Sequence, residues 1–159
     1  MAALPKSSKP AANAAERARI AQRGSALCVC NALKSAARKV TRFYDAELAK
    51  AGVTFSQFAL LVRVAACEQG SMADVAGAVG LDPSTLSRTL KPLEAAGWIV
   101  IAPDPENRRI RRVRVSEAGA AKMDEAGIQW MAAQKAAQAV FPKQMLAAIA
   151  EGAASLSVD

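Results

Sequence analysis

The run "MADVAGAVGLDPSTLSRTLKPLEAAGWIVIAPDPENRRIRRVRV", residues 72–115, decides the fold. It opens with two short helical patterns, 72–79 and 83–96, joined by Gly80-Leu81-Asp82. A helix-turn-helix needs a small residue where its helices touch, favours glycine in the turn, and needs an apolar residue reaching back from the second helix. Ala76, Gly80 and Leu86 stand at those intervals. Asp82 is suited to cap the second helix and Pro83 to occupy its first position. Leu86, Leu90 and Leu93 form an inward stripe, which turns Ser84, Thr85, Ser87, Arg88 and Lys91 outward. These side-chain types reach phosphates and base edges, and Arg88 is able to donate two bonds to a guanine edge. Pro92 deletes one helical hydrogen bond and is expected to bend the last turn.

After Gly97 the period becomes strand-like. Residues 98–101 read as a strand, 102–107 with Pro103 and Pro105 as a turn, and 110–115 as a return strand alternating apolar residues with arginine. A helical hairpin in an ordinary core shares the Ala-Gly-Leu spacing, so that spacing alone is ambiguous. The hairpin resolves it. Arg108, Arg109, Arg111, Arg112 and Arg114 crowd together where a solvated hairpin would mix charge signs. Arginines at such a tip suit a narrow minor groove.

Outward from this run the pattern is helical. Residues 26–50 carry Leu33, Ala37, Val40, Tyr44 and Leu48 at spacings of three or four, and Gly52 is expected to end that helix. Thr54 caps a second helix with Phe55, Phe58, Leu60, Leu61 and Val64 on its apolar face, stopped by Gly70. Ser116 with Gly119 opens a long helix that Pro142 breaks, and one more helix follows. The expected fold is mainly α with a small β-hairpin, a winged helix-turn-helix flanked by helices. Residues 1–22, with Pro5 and Pro10, read as a flexible N-terminal arm that leaves room for a helix near its end. Residues 54–116 are expected to form the DNA-binding lobe, between helical stretches over 23–53 and 117–159.

Composition narrows the function. The 159 residues carry a net charge of +7, which favours a polyanionic partner. There is no histidine, so the commonest general base and metal ligand is missing. No nucleophile–base pair, Gly-rich phosphate loop or metal spacing points to an enzyme, a metal site or a cofactor. No apolar run is of spanning length and no secretory h-region is visible, so a cytoplasmic protein without a membrane partner is expected. The three cysteines then read as free thiols. A helical RNA-binding or interaction module would share the charge but has no need of the arginine hairpin.

The stretch "SMADVAGAVGLDPSTLSRTLKPLEAAGWIV…DPENRRIRRVRVSEAG" resembles the winged helix-turn-helix core of MarR-family regulators, and "ALKSAARKVTRFYDAELAKAGVTFSQFALL" resembles their first two helices. The resemblance covers about 26–156. It implies a homodimer, paired through a helical dimerisation region of its terminal helices, 23–53 and 117–159, on double-stranded operator DNA, with recognition helices in successive major grooves and wings at the minor groove. Carried over by position, Ser84, Thr85, Ser87 and Arg88 face DNA and Arg109 is the wing-tip arginine; Lys91, Arg108 and Arg111 complete the expected DNA set. Two departures stand out. Asn107 replaces the usual aspartate that holds the wing arginine, and 100–102 lacks the usual basic residues. Most such proteins are repressors released by a small aromatic or phenolic acid, for which Arg38, Arg42, Tyr44 and Phe58 are the candidate contacts here. A peroxide-sensing branch places a reactive thiol at the position of Cys30, but two of its activating tyrosines are replaced here by Lys34 and Phe58.

Overall fold

The computed structural model describes residues 14–156, apart from 69. The chain divides into two compact units, Met1–Val40 and Thr41–Asp159. In the first, helix α1 spans Ala14–Leu27 and ends at Cys28, beyond which helix α2, Val29–Leu48, begins. Residues 14–22, read from sequence as part of an arm, are therefore helical; residues 1–13 lie outside the described part. The helix expected over 26–50 is interrupted at Cys28. Within this unit Ile20, Val29 and Leu33 are exposed.

The second unit starts within α2, where Tyr44 and Leu48 are buried. A 3-10 turn, Ala49–Ala51, closes on Gly52, whose φ of 68° is the left-handed conformation that favours glycine. Helix α3, Phe55–Ala66, follows a reciprocal cap. Thr54 Oγ1 accepts the Gln57 amide, and Gln57 Oε1 accepts the Thr54 amide. It stops at Cys67, before the glycine expected to end it. Helices α4, Met72–Val79, and α5, Pro83–Ala95, come next. Strands β1, Ile99–Pro103, and β2, Arg111–Val115, pair antiparallel with Ile101 opposite Val113. Trp98 precedes the strand it was expected to start, and Ala102 and Pro103 belong to β1 rather than to the turn. Helices α6, Glu117–Val140, and α7, Lys143–Ala154, are separated at Pro142, which has no amide proton to continue the ladder.

Leu60, Leu61 and Val64 of α3, Val75 and Ala76 of α4, Leu86, Leu90 and Leu93 of α5, and Ile99 and Val113 of the hairpin form one buried cluster. The helix-turn-helix and the wing thus share a core and are held as one lobe. Lys122 Nζ of α6 donates to the Ala51 carbonyl at 3.0 Å and stands 5.9 Å from the Trp98 ring centre. No single helix among the described residues is long and apolar enough to cross a membrane.

Candidate nucleic-acid interface

Local chemistry places the second helix of the pair. Ser71 and Asp74 cap α4 reciprocally, and the hydrogen bonds from Ser71 hold the Asp74 carboxyl below its ordinary pKa. Gly80, with φ 67°, reverses the chain, and the Leu81 amide returns to the Ala76 carbonyl at 3.0 Å. Asp82 Oδ1 then accepts the Ser84 and Thr85 amides, each at 3.0 Å. The hydrogen bond from the Ser84 hydroxyl, then those from Thr85, push the Asp82 pKa far below the carboxylate range. Pro83 occupies the first turn, where no amide is needed. The glycine and cap expected from the sequence thus act as expected.

Leu86, Leu90 and Leu93 are fully buried, so Ser84, Ser87, Arg88 and Lys91 are exposed and Thr85 is half-exposed. Arg88 Nη2 lies 3.4 Å from Thr85 Oγ1, which biases the guanidinium toward the start of the helix, and Thr89 bonds back to the Thr85 carbonyl. The helix continues through Pro92 to Ala95.

In the wing, Ile99, Ile101, Val113 and Val115 face the core, while Val100, Ala102, Arg112 and Arg114 face out. Arg108 and Arg109 stand exposed on the loop, and Arg111 lies 3.4 Å from the Ile101 carbonyl. Among the described residues, none of Arg88, Lys91, Arg108, Arg109, Arg111 and Arg114 is in an ion pair. The second helix of the pair and the wing therefore both offer cations without acidic partners among the described residues.

The resemblance implies an aspartate at position 107 that holds the wing arginine, and this chain has Asn107 there. Asn107 Oδ1 accepts the Arg109 amide at 3.1 Å. Asp104, 4% exposed, accepts the Glu106 and Asn107 amides and the Arg112 guanidinium, chiefly the last of which lowers its pKa. An aspartate before Pro105, followed by amides two and three residues on, is an Asx-turn signal that was readable in the sequence.

The four candidate ligand residues differ in placement. Arg38 lies in the first unit and is exposed. Arg42 is exposed in the second. Tyr44 is buried, which raises its pKa, and its hydroxyl donates to Gln134 Oε1 at 2.6 Å. Phe58 borders a pocket of about 270 Å³, lined also by Phe55, Ala59, Val62, Arg63 and Trp130. Its cation is Arg63, and Trp130 stands 6.1 Å from the Phe58 ring. Sequence reasoning missed Arg63 and Trp130, which the fold brings together from distant segments. Cys30 is exposed, Cys28 and Cys67 half-buried. Among the described residues no group of histidine, cysteine and carboxylate side chains could hold a metal ion.

Residues 53–110 match the model of the MarR family. No curated protein matches the sequence. Several solved structures share the fold. A Staphylococcus aureus MepR–DNA complex superposes with a TM-score of 0.72 at 18% identity, covering 82% of this chain and 99% of that one. A mutant of Escherichia coli MarR complexed with operator DNA gives 0.68 at 19%, covering 81% and 93%. CouR from Rhodococcus jostii, bound to p-coumaroyl-CoA, gives 0.63 at 23%, covering 84% and 96%. The matched segment runs from the cap of α3 through both helices of the turn into the arginine-rich loop, and the surrounding fold is shared with solved MarR-type regulators: the chain carries a segment that matches the MarR family, set in the winged helix-turn-helix fold of those proteins.

Proposed function

We propose that the chain is a sequence-specific regulator of transcription, a repressor, that binds double-stranded operator DNA as a homodimer. The carrying observation is the pairing of an outward recognition face, Ser84, Thr85, Ser87, Arg88 and Lys91, with a wing whose Arg108, Arg109 and Arg111 have no acidic partners. The helix supplies base-reading donors and the wing supplies phosphate or minor-groove contacts. Solved relatives bound to DNA support the same reading. The homodimer is supported by apolar side chains left exposed along α6 and α7, among them Ile128, Met131, Val140, Leu146 and Ile149. Such a run is unusual on a monomer and ordinary at a subunit interface.

A small aromatic or phenolic acid is the proposed releasing effector, with its ring against Phe58 and Trp130 and its carboxylate near Arg63. A pocket of this size holds one ring and little more. Selection from a random duplex pool tests the DNA reading. Enrichment of a two-fold-symmetric sequence is expected, and recovery of an unenriched pool would refute sequence-specific recognition. Light scattering should give a dimer, and a monomer at micromolar concentration would refute the assigned interface.

A further inference from the structure

The wing's arginines are not equivalent. Arg108, Arg109 and Arg114 are in no ion pair among the described residues, whereas Arg112 Nε donates to Asp104 Oδ2. Asp104 is the buried charged residue of the described chain. Its other oxygen accepts the Glu106 and Asn107 amides at 2.8 and 2.9 Å, and its own amide donates to the Ile110 carbonyl at 2.9 Å. The loop between the strands is therefore folded around one carboxylate. The Arg112 backbone also pairs with that of Ser71, the cap of α4, in an antiparallel β-bridge, and the next amide, Val113, donates to the Gly70 carbonyl at 3.1 Å. A single side chain thus joins the wing loop to the strand docked at the start of the helix-turn-helix. A buried carboxylate deprived of its cation is costly, and opening the loop to water is its way out.

We infer that Asp104 and Arg112 are positioning residues: their ion pair clamps the loop 105–110 against the lobe, so that Arg108 and Arg109 meet DNA from a fixed wing while Arg112 itself makes no DNA contact. The inference rests on the DNA-binding reading above. It divides the arginines into one that organises the wing and others that grip.

The test combines DNA affinity, its salt dependence and amide exchange in the free protein. With the best duplex from the selection, Arg112→Gln and Asp104→Asn should each weaken binding about tenfold, because fewer wings are in the competent form. The double variant should lose no more than either single one, and Arg112→Lys should recover most of the loss. Arg112→Gln should leave the slope of log affinity against log salt unchanged. Arg109→Gln should flatten that slope by about two, one phosphate contact in each copy of a dimer. Without DNA, Arg112→Gln should speed exchange at the Glu106 and Asn107 amides and leave the α5 core unchanged. A salt slope flattened by Arg112→Gln as by Arg109→Gln would make Arg112 a contact and overturn the clamp. Unchanged exchange at Glu106 and Asn107 would overturn it too. If wild-type chain binds no duplex, the DNA reading fails instead, and the exchange experiment still decides the clamp.

Discussion

Replacing Gly119 by alanine should damage this fold far more than one methyl group suggests. Gly119 lies in the first turn of α6 and is buried. A Cβ built there overlaps the Trp98 carbonyl oxygen, and lies 2.8 Å from that carbonyl's carbon and 2.9 Å from Val115 Cγ1. The obstacle is backbone, and it is tied on every side. The Trp98 carbonyl accepts the Ser116 amide at 3.0 Å, and the Trp98 amide returns to the Leu93 carbonyl at 2.9 Å. Ser116 Oγ accepts the Gly119 amide at 3.0 Å and donates to the Gly97 carbonyl at 2.5 Å. Relief therefore requires α6 to lift from the junction where the recognition helix ends and the wing begins. Overpacking of this kind costs about 3 kcal/mol. In a chain of 159 residues that corresponds to a fall in Tm of roughly 6–12 °C. Gly77→Ala is the control. Nothing lies within 4 Å of a Cβ there, the residue sits inside α4, and relief from glycine's chain entropy should stabilise by about 0.5–1 kcal/mol. Thermal unfolding followed by circular dichroism, at one fixed protein concentration, reads both. Opposite signs are expected. A Gly119→Ala melt within about 1 °C of wild type would refute the close approach of α6 to Trp98.

Arg88→Ala should weaken binding to the selected duplex by about 1–3 kcal/mol and relax the preference at one base pair per half-site; equal losses on every duplex would reduce Arg88 to a phosphate contact. Stability should be nearly flat between about pH 5 and 8, because no histidine titrates there. It should fall below about pH 4, because Asp74, Asp82 and Asp104 all have pKa values lowered by folding. The native chain holds these carboxylates ionised, so their contribution is complete above the unfolded value and disappears as pH drops through the folded ones. Urea midpoints that stay level down to pH 3 would contradict the capping and clamping roles given to these three residues. Cys30 is exposed near the start of α2. If oxidation controls DNA release, Cys30→Ser should abolish release by peroxide, and release that persists unchanged rules this thiol out.

Much of the helix-turn-helix and of the wing is legible in the sequence. The Ala76, Gly80, Leu86 spacing, the Asp82 cap and the leucine stripe are local, because helix geometry maps sequence spacing directly onto faces. What could not be read depends on contacts between distant segments. Tyr44 looked like a ligand contact, yet its partner is Gln134, 90 residues away. Asp104 looked like an ordinary turn residue because its cation arrives from the opposite strand. Gly119 looked like a helix opener, and only the path of the Trp98 backbone shows why a side chain is excluded. Helix α1 was read as arm because its start is polar and lacks a strong apolar stripe, which is the main sequence signal for a packed helix.

If the proposed effector binds in the pocket beside Trp130, helix α3 is its physical route to the proposed DNA-binding face. Helix α3 has two working faces. Phe55, Phe58, Ala59, Val62 and Arg63 border the pocket, while Leu60, Leu61 and Val64 belong to the core beneath the recognition helix. A ligand that wedges against Phe58 acts on the same rigid helix that seats Leu86 and Leu90. Coupling of this kind typically changes affinity by about 5- to 150-fold, and it is reciprocal. Benzoate-type acids should therefore weaken DNA binding by the same factor by which DNA weakens binding of the acid. Arg63→Gln should remove the response by discarding the carboxylate's partner, and Ala59→Leu should remove it by filling the pocket. Both variants should hold DNA normally in the absence of the acid, since neither residue is on the recognition face. Titrations of acid at several DNA concentrations, read by fluorescence anisotropy, supply both affinities. Unequal factors would mean that the acid competes or aggregates rather than acting through α3, and release that survives both substitutions would place the effector elsewhere.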